Sequence, residues 1–272
     1  HANGAAPIAE EGPKLTPYFS ISIPPILDVM SALVLAFVVG IGLSTQEESN
    51  LKLMVRDFQK IIMQLIENVI IPLLPLFILG IFAKMSFSGQ VFSILSVFIS
   101  IIGVIFALHV LLLLLQYSIA GLVTKKNPFK LLITMMPAYF TALGTQSSAA
   151  TIPVTLEQAL KNGISEKIAG FVIPLCATIH LSGSIMKITA CAMALMILYG
   201  MPFGFTLFAG FIFVLGIAMI AAPGVPGGAI MAAVGILQSM LGFNEEMIGI
   251  MIALYIAMDS FGTACNVTGD GA

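Results

Sequence analysis

Between Phe87 and Val123 the chain carries no aspartate, glutamate, lysine or arginine. A helix crosses the hydrocarbon of a bilayer with ~20 apolar residues. This run is longer and predicts a tilted crossing with interfacial ends. The rest of the sequence agrees: 59% of residues are hydrophobic, 9% are charged, and mean hydropathy is +1.08. A soluble domain carries roughly 25% charged residues, so the chain is predicted to be an all-α polytopic membrane protein. Eleven basic residues against thirteen acidic ones leave a net charge of −2. That gives no basic field to hold nucleic acid, which excludes nucleic acid as a partner. No activated nucleophile, metal cluster or phosphate loop points to an enzyme. Cys176, Cys191 and Cys265 lie in apolar segments without metal or redox spacing and read as packing residues. Tyr117, Tyr139, Tyr199 and Tyr255 are candidates for the membrane interfaces.

Residues 1–20 are polar and read as an extramembrane loop; Ile26–Leu43 and a stretch around Ile61–Phe82 read as crossings. The first residue is His1 and the last Ala272, and both ends are expected to be cuts. Three basic clusters follow: Lys52, Arg56 and Lys60; Lys125, Lys126 and Lys130; Lys161 and Lys167. Placing all three on the cytoplasmic side satisfies the positive-inside rule. The apolar segment Leu131–Ile152 then has both flanks on one side, which predicts a re-entrant hairpin with its tip at residues 146–151 and Pro153 opening the second arm. Further on, Ile168–Leu198 is interrupted by the polar stretch Thr178–Ser184. Two short arms, Phe203–Ala222 and Gly228–Leu241, flank Pro223-Gly224-Val225-Pro226-Gly227. A broken helix survives in a membrane only against protein or a water-filled cavity. Hairpin and broken crossing, twice over, point to a transporter's central site, with a channel built on unwound backbone as the alternative.

Asp259 is an ionisable group inside a crossing, which is functional by default. No basic residue lies one turn away, so a solute ammonium is the expected partner, with an ordinary pair to Lys187 as the other reading. Thr263, four positions on, is expected to face the same cavity. Asn266 and Asp270 share a helix face and, with unwound carbonyls, suit a monovalent cation. Ser147 and Ser148 lie where half-helix N–H groups suit a carboxylate. His180 reads either as a proton site or as a neutral residue holding the turn. Lys187 reads as snorkelling, as paired with an acid, or as a substitute for a bound cation.

In this order, the serine-rich tip 147–151, the broken seventh-helix signature, the tip Gly224-Val225-Pro226-Gly227, and Asp259, Thr263 and Asn266-Val267-Thr268-Gly269-Asp270 resemble the dicarboxylate/amino acid:cation symporter family, the glutamate transporter homologues. The resemblance implies a glutamate-transporter-homologue fold with two re-entrant helical hairpins and broken transmembrane helices. It also implies a homotrimer in the cell inner membrane, moving solute by an elevator motion. Residues 21–123 would match the family's helices four to six, with the first three absent, and residues 124–272 the transport-domain core. Within that core, hairpin 1 would cover about 131–163, the broken helix about 166–199, hairpin 2 about 203–241 and the last helix about 246–272.

Carried over by resemblance, Asp259 receives the solute's amino group. Asn266 lies near its carboxylate, Ser147 and Ser148 belong to the tip that helps hold it, Thr151 is a further solute-binding candidate, and Val225, Pro226 and Gly227 belong to the second hairpin's gate. Asn266, Asp270 and the backbone at Thr178 match sodium ligands, sodium being the one cofactor-like ion implied. The family signature Asn-Met-Asp-Gly-Thr is here His180-Leu181-Ser182-Gly183-Ser184, which leaves His180, Ser182 and Lys187 as coupling candidates for sodium or protons. Gly262 stands where acidic-substrate members carry an arginine. A glycine brings no charge and leaves room, so a neutral amino acid is the expected solute. A channel or a non-transporting receptor on the same scaffold is the alternative.

Overall fold

Every described element of the chain is a helix. The computed structural model describes residues 26–27, 29–46, 49–87, 91–222 and 226–272. Two units divide it, one ending at Val91 and the other holding Phe92–Ala272. In the first, α1 spans Val29–Ser44, and α2 (Asn50–Leu65) runs through a π-helical turn at Ile66–Ile70 into α3 (Ile71–Phe87). Pro75 lies inside α3, where it withholds one N–H from the helix ladder.

α4, Val91–Thr124, lies in the second unit from Phe92 on and is the long apolar run predicted from the missing charges. Its Phe98–Thr124 part is long and apolar enough to cross a membrane, as is Glu166–Leu198. Ile99, Val104, Leu111, Leu115 and Leu122 are exposed along α4, a surface suited to hydrocarbon. The protein is membrane-embedded.

The first hairpin is α5 (Pro128–Thr134), α6 (Met136–Thr145) and α7 (Ser148–Lys161). Asn127 caps α5 by accepting from the N–H groups of Phe129 and Lys130. At the far end the tip is tighter than expected. Gln146 adopts a left-handed conformation, φ +53°, and Ser147 caps α7 by accepting from the N–H of Ala150 at 3.3 Å. The second arm therefore starts at Ser148, and Pro153 sits inside it rather than opening it. The serine cap supplies the start signal that the proline was expected to give. At the base, Lys126 Nζ donates to the Asn162 carbonyl at 2.6 Å, and Asn162 Nδ2 donates to the Leu131 carbonyl at 3.1 Å, holding the two arms together.

α8 (Glu166–Ile179) and α9 (Ser182–Leu198) are one crossing broken only at His180-Leu181, a shorter interruption than the polar stretch suggested. α10 (Phe205–Met219) and α11 (Gly228–Leu241) form the second hairpin. Gly224 and Val225 lie outside the described residues. α12 (Glu245–Ala257) and α13 (Asp259–Gly269) make a pair bent by 60° at Met258. α13 is the hub, packed against α6, α7 and α9. Small residues Ala138, Ala142, Ala264 and Cys265 let α6 and α13 approach closely, and Tyr117 and Leu113 of α4 close the cluster.

Candidate solute site

The first turn of any helix has N–H groups with no partner in the helix. At α9 no side chain of its own cap supplies one. Asn266 of α13 does: its Oδ1 accepts from the N–H groups of Gly183 (2.8 Å) and Ser184 (3.3 Å), and its Nδ2 donates to Ser184 Oγ at 3.0 Å. Tyr255 adds its hydroxyl to Ser184 Oγ at 3.2 Å. From α4, His109 Nε2 lies 3.0 Å from the Gly183 carbonyl. Only glycine fits at 183, because a Cβ there would stand 2.8 Å from Cys265 Cβ and 2.9 Å from the Gly262 carbonyl oxygen.

Two acid–base pairs lie on either side of this knot. Asp259 opens α13, and its Oδ1 accepts from Lys187 Nζ at 3.1 Å while Oδ2 accepts from the Gly227 N–H at 2.8 Å. Gly227, at φ +75°, begins the second arm of hairpin 2, so the carboxylate ties that arm to both α9 and α13. Lys187 is wholly enclosed. Its ammonium also faces the carbonyls of Tyr255 (3.3 Å) and Met258 (3.4 Å) at the C-terminal end of α12, and lies 3.3 Å from the centre of the Tyr255 ring. A cation at a helix C-terminus and over an aromatic face is favoured twice. Of the two readings of Asp259, the structure holds the pair with Lys187. Lys187 is far from it in sequence but adjacent in space, and it does not snorkel.

On the other side His180 Nδ1 lies 2.7 Å from Asp270 Oδ1. Gln116 of α4 extends the group, with its Nε2 3.4 Å from His180 Nε2 and 3.5 Å from Ser182 Oγ. Tyr117 donates to the Thr268 carbonyl at 2.6 Å. Tyr117 and Tyr255 are thus interior residues rather than interfacial ones, because each hydroxyl finds a buried acceptor.

The candidate sodium ligands fare unequally. The side-chain oxygen of Asn266 is engaged by two backbone N–H groups, and Asp270 Oδ1 is in contact with His180 Nδ1. Thr178 is exposed, its hydroxyl donating to the Leu175 carbonyl of its own helix. Among the described residues, Gln116 Oε1 and Thr268 Oγ1 are buried oxygens with no hydrogen-bond partner in the protein. Among the solute candidates, Ser148, Thr151, Gly227, Asp259, Gly262, Thr263 and Asn266 are buried, Ser147 is half-buried and Pro226 is exposed. Thr151 donates to the Ser147 carbonyl at 2.8 Å, which stiffens the tip.

His109, Gln116, Tyr117 and Tyr255 were missed as site residues. His109 and Gln116 stand seven apart on a mostly apolar helix, two turns along one face, and that spacing was legible.

Bent and broken crossings around buried charges define a membrane protein with an interior polar site. The sodium:dicarboxylate symporter family model matches residues 2–272, and the chain belongs to that family. It is 35% identical to excitatory amino acid transporter 3 of Mus musculus over 60% of this chain and 31% of that protein. With excitatory amino acid transporter 1 of Rattus norvegicus the identity is 34%, over 62% of this chain and 31% of that protein. With human excitatory amino acid transporter 3 it is 33%, over 66% and 34%. The chain spans about a third of the length of these relatives.

Proposed function

We propose that this chain is the solute-handling part of a secondary active transporter that imports a small neutral amino acid, driven by a sodium or proton gradient. The carrying observation is Asp259, a buried carboxylate at the bend of a crossing and bonded to the loop end of hairpin 2. A carboxylate so placed suits a solute amino group, and it links recognition to the position of a hairpin arm. Gly262 itself contributes no cation to grip a second carboxylate, and the ammonium beside it, that of Lys187, is already bonded to Asp259, which favours a neutral side chain over glutamate or aspartate. The names of the relatives, amino acid transporters, support the solute class. Transport is non-covalent throughout. In this reading the unit works within a trimer in the cell inner membrane, and the packed core of α6–α13 moves as an elevator.

The test is uptake of labelled amino acids by the full-length protein in liposomes, under a sodium gradient and then a proton gradient. Neutral amino acid uptake under either gradient supports the reading. Current without solute flux would identify a channel, and binding without uptake a receptor.

A further inference from the structure

We propose that Lys187 is a resident competitor for the solute's amino group, and so a specificity-determining residue of the site. The inference rests on the reading that Asp259 receives that amino group.

Both oxygens of Asp259 are already used, one by Lys187 Nζ and the other by the Gly227 N–H. A solute ammonium reaching this carboxylate has to take over one of those contacts. Adding a second ammonium beside the first is disfavoured, because like charges repel strongly where water is excluded. Giving up the Gly227 contact would release the arm of hairpin 2. Giving up the Lys187 contact is the cheaper exchange. The lysine has three N–H donors, and it keeps the Tyr255 and Met258 carbonyls and the Tyr255 ring when Asp259 is taken. Lys187 is thus held by enough other partners to yield its acid without being stranded, and the repulsion that remains between the two neighbouring ammonium groups is what weakens the binding of amines.

Gly262 belongs to the same device. A Cβ at 262 would lie 3.0 Å from Lys187 Nζ and 3.2 Å from its Cε. The room that the glycine was expected to leave for a solute side chain is taken by the lysine. The glycine and the lysine belong together, since the lysine chain fills the space beside α13 at position 262.

The consequence is selective. Amine-bearing solutes compete with Lys187 and bind more weakly than Asp259 alone would allow. Solutes with a hydroxyl in place of the ammonium do not engage in this competition. Binding to the purified full-length protein would be measured by calorimetry for three matched pairs: L-alanine and L-lactate, L-serine and L-glycerate, L-leucine and its 2-hydroxy analogue. Lys187→Met keeps the length and removes the charge. Its affinity for the amino acids, relative to their hydroxy partners, is expected to rise about tenfold. Gly262→Ala is the second variant. It nudges the ammonium without leaving Asp259 unpaired, and it should move the ratio in the same direction by about threefold. Melting curves establish that each variant is folded.

An unchanged or falling ratio in the folded variants overturns the proposal. Wild-type binding of hydroxy acids alone, with amino acid binding gained in Lys187→Met, supports the competition while correcting the amino-acid reading. No binding of any pair by any variant removes the solute reading and this inference with it.

Discussion

His180 Nδ1 and Asp270 Oδ1 are 2.7 Å apart, although 90 residues separate them in the chain. The contact joins the break in one crossing to the end of another and gives Asp270 a basic neighbour. Lys187, seven residues beyond His180, does the same for Asp259. Both carboxylates of this region are therefore served from one broken helix. A carboxylate already bonded to a base attracts a cation less strongly than one facing only neutral oxygens.

The first expectation concerns that pairing. His180→Asn should leave Asp270 freer to attract sodium, lowering the sodium concentration that half-saturates its effect on solute binding by about tenfold. Asp270→Asn should flatten the sodium response. Sodium titrations of solute binding to the full-length protein decide it; identical curves for wild type and His180→Asn would remove the role given to the pair.

Asn266 is predicted to be structural as well as solute-facing. Asn266→Ala strands the N–H groups of Gly183 and Ser184 at the start of α9, and a buried polar group left unsatisfied costs about 1–3 kcal/mol. Thermal unfolding without any solute should therefore fall clearly. A variant that melts like wild type and loses only solute binding would show that α9 finds its cap elsewhere.

Gly183→Ala tests the close approach of α9 to α13. The added methyl meets the Gly262 carbonyl and Cys265, neither of which can swing aside. Overpacking of this kind costs about 1–3 kcal/mol. The melting temperature reports it, and no change would mean the two helices can separate freely.

Ser147→Ala removes the cap of α7 at the hairpin tip, with an expected loss of about 1 kcal/mol, whereas Ser147→Gly should lose only a few tenths. Comparing both in melting and in solute binding separates the two roles. If Ser147 only caps, Ser147→Gly binds solute normally. If its hydroxyl also touches solute, both variants lose affinity.

A hairpin with its tip at 146–151 was legible because basic residues flank the apolar segment at both ends, and the long α4 because no charge interrupts its apolar run. Asp259, Asn266 and Asp270 were legible as polar residues without a lipid-compatible role. The exact break at His180-Leu181 was not, since Ser182–Ser184 are compatible both with a loop and with a helix capped from outside. Nor was Pro153 inside α7, because a serine cap and a proline are both start signals and sequence does not rank them.

The sequence by itself determined the solvent and the class: so few charges leave hydrocarbon as the surroundings, and breaks in apolar helices require an enclosed polar site. Helical periodicity says which residues share a face, but it does not say which faces meet. Only the tertiary structure brought Lys187 to Asp259, His180 to Asp270 and Asn266 to the start of α9. Each of these contacts joins segments more than seventy residues apart. They form because a charge or a free N–H buried among apolar helices is stable only against a partner, and packing around α13 puts that partner within reach.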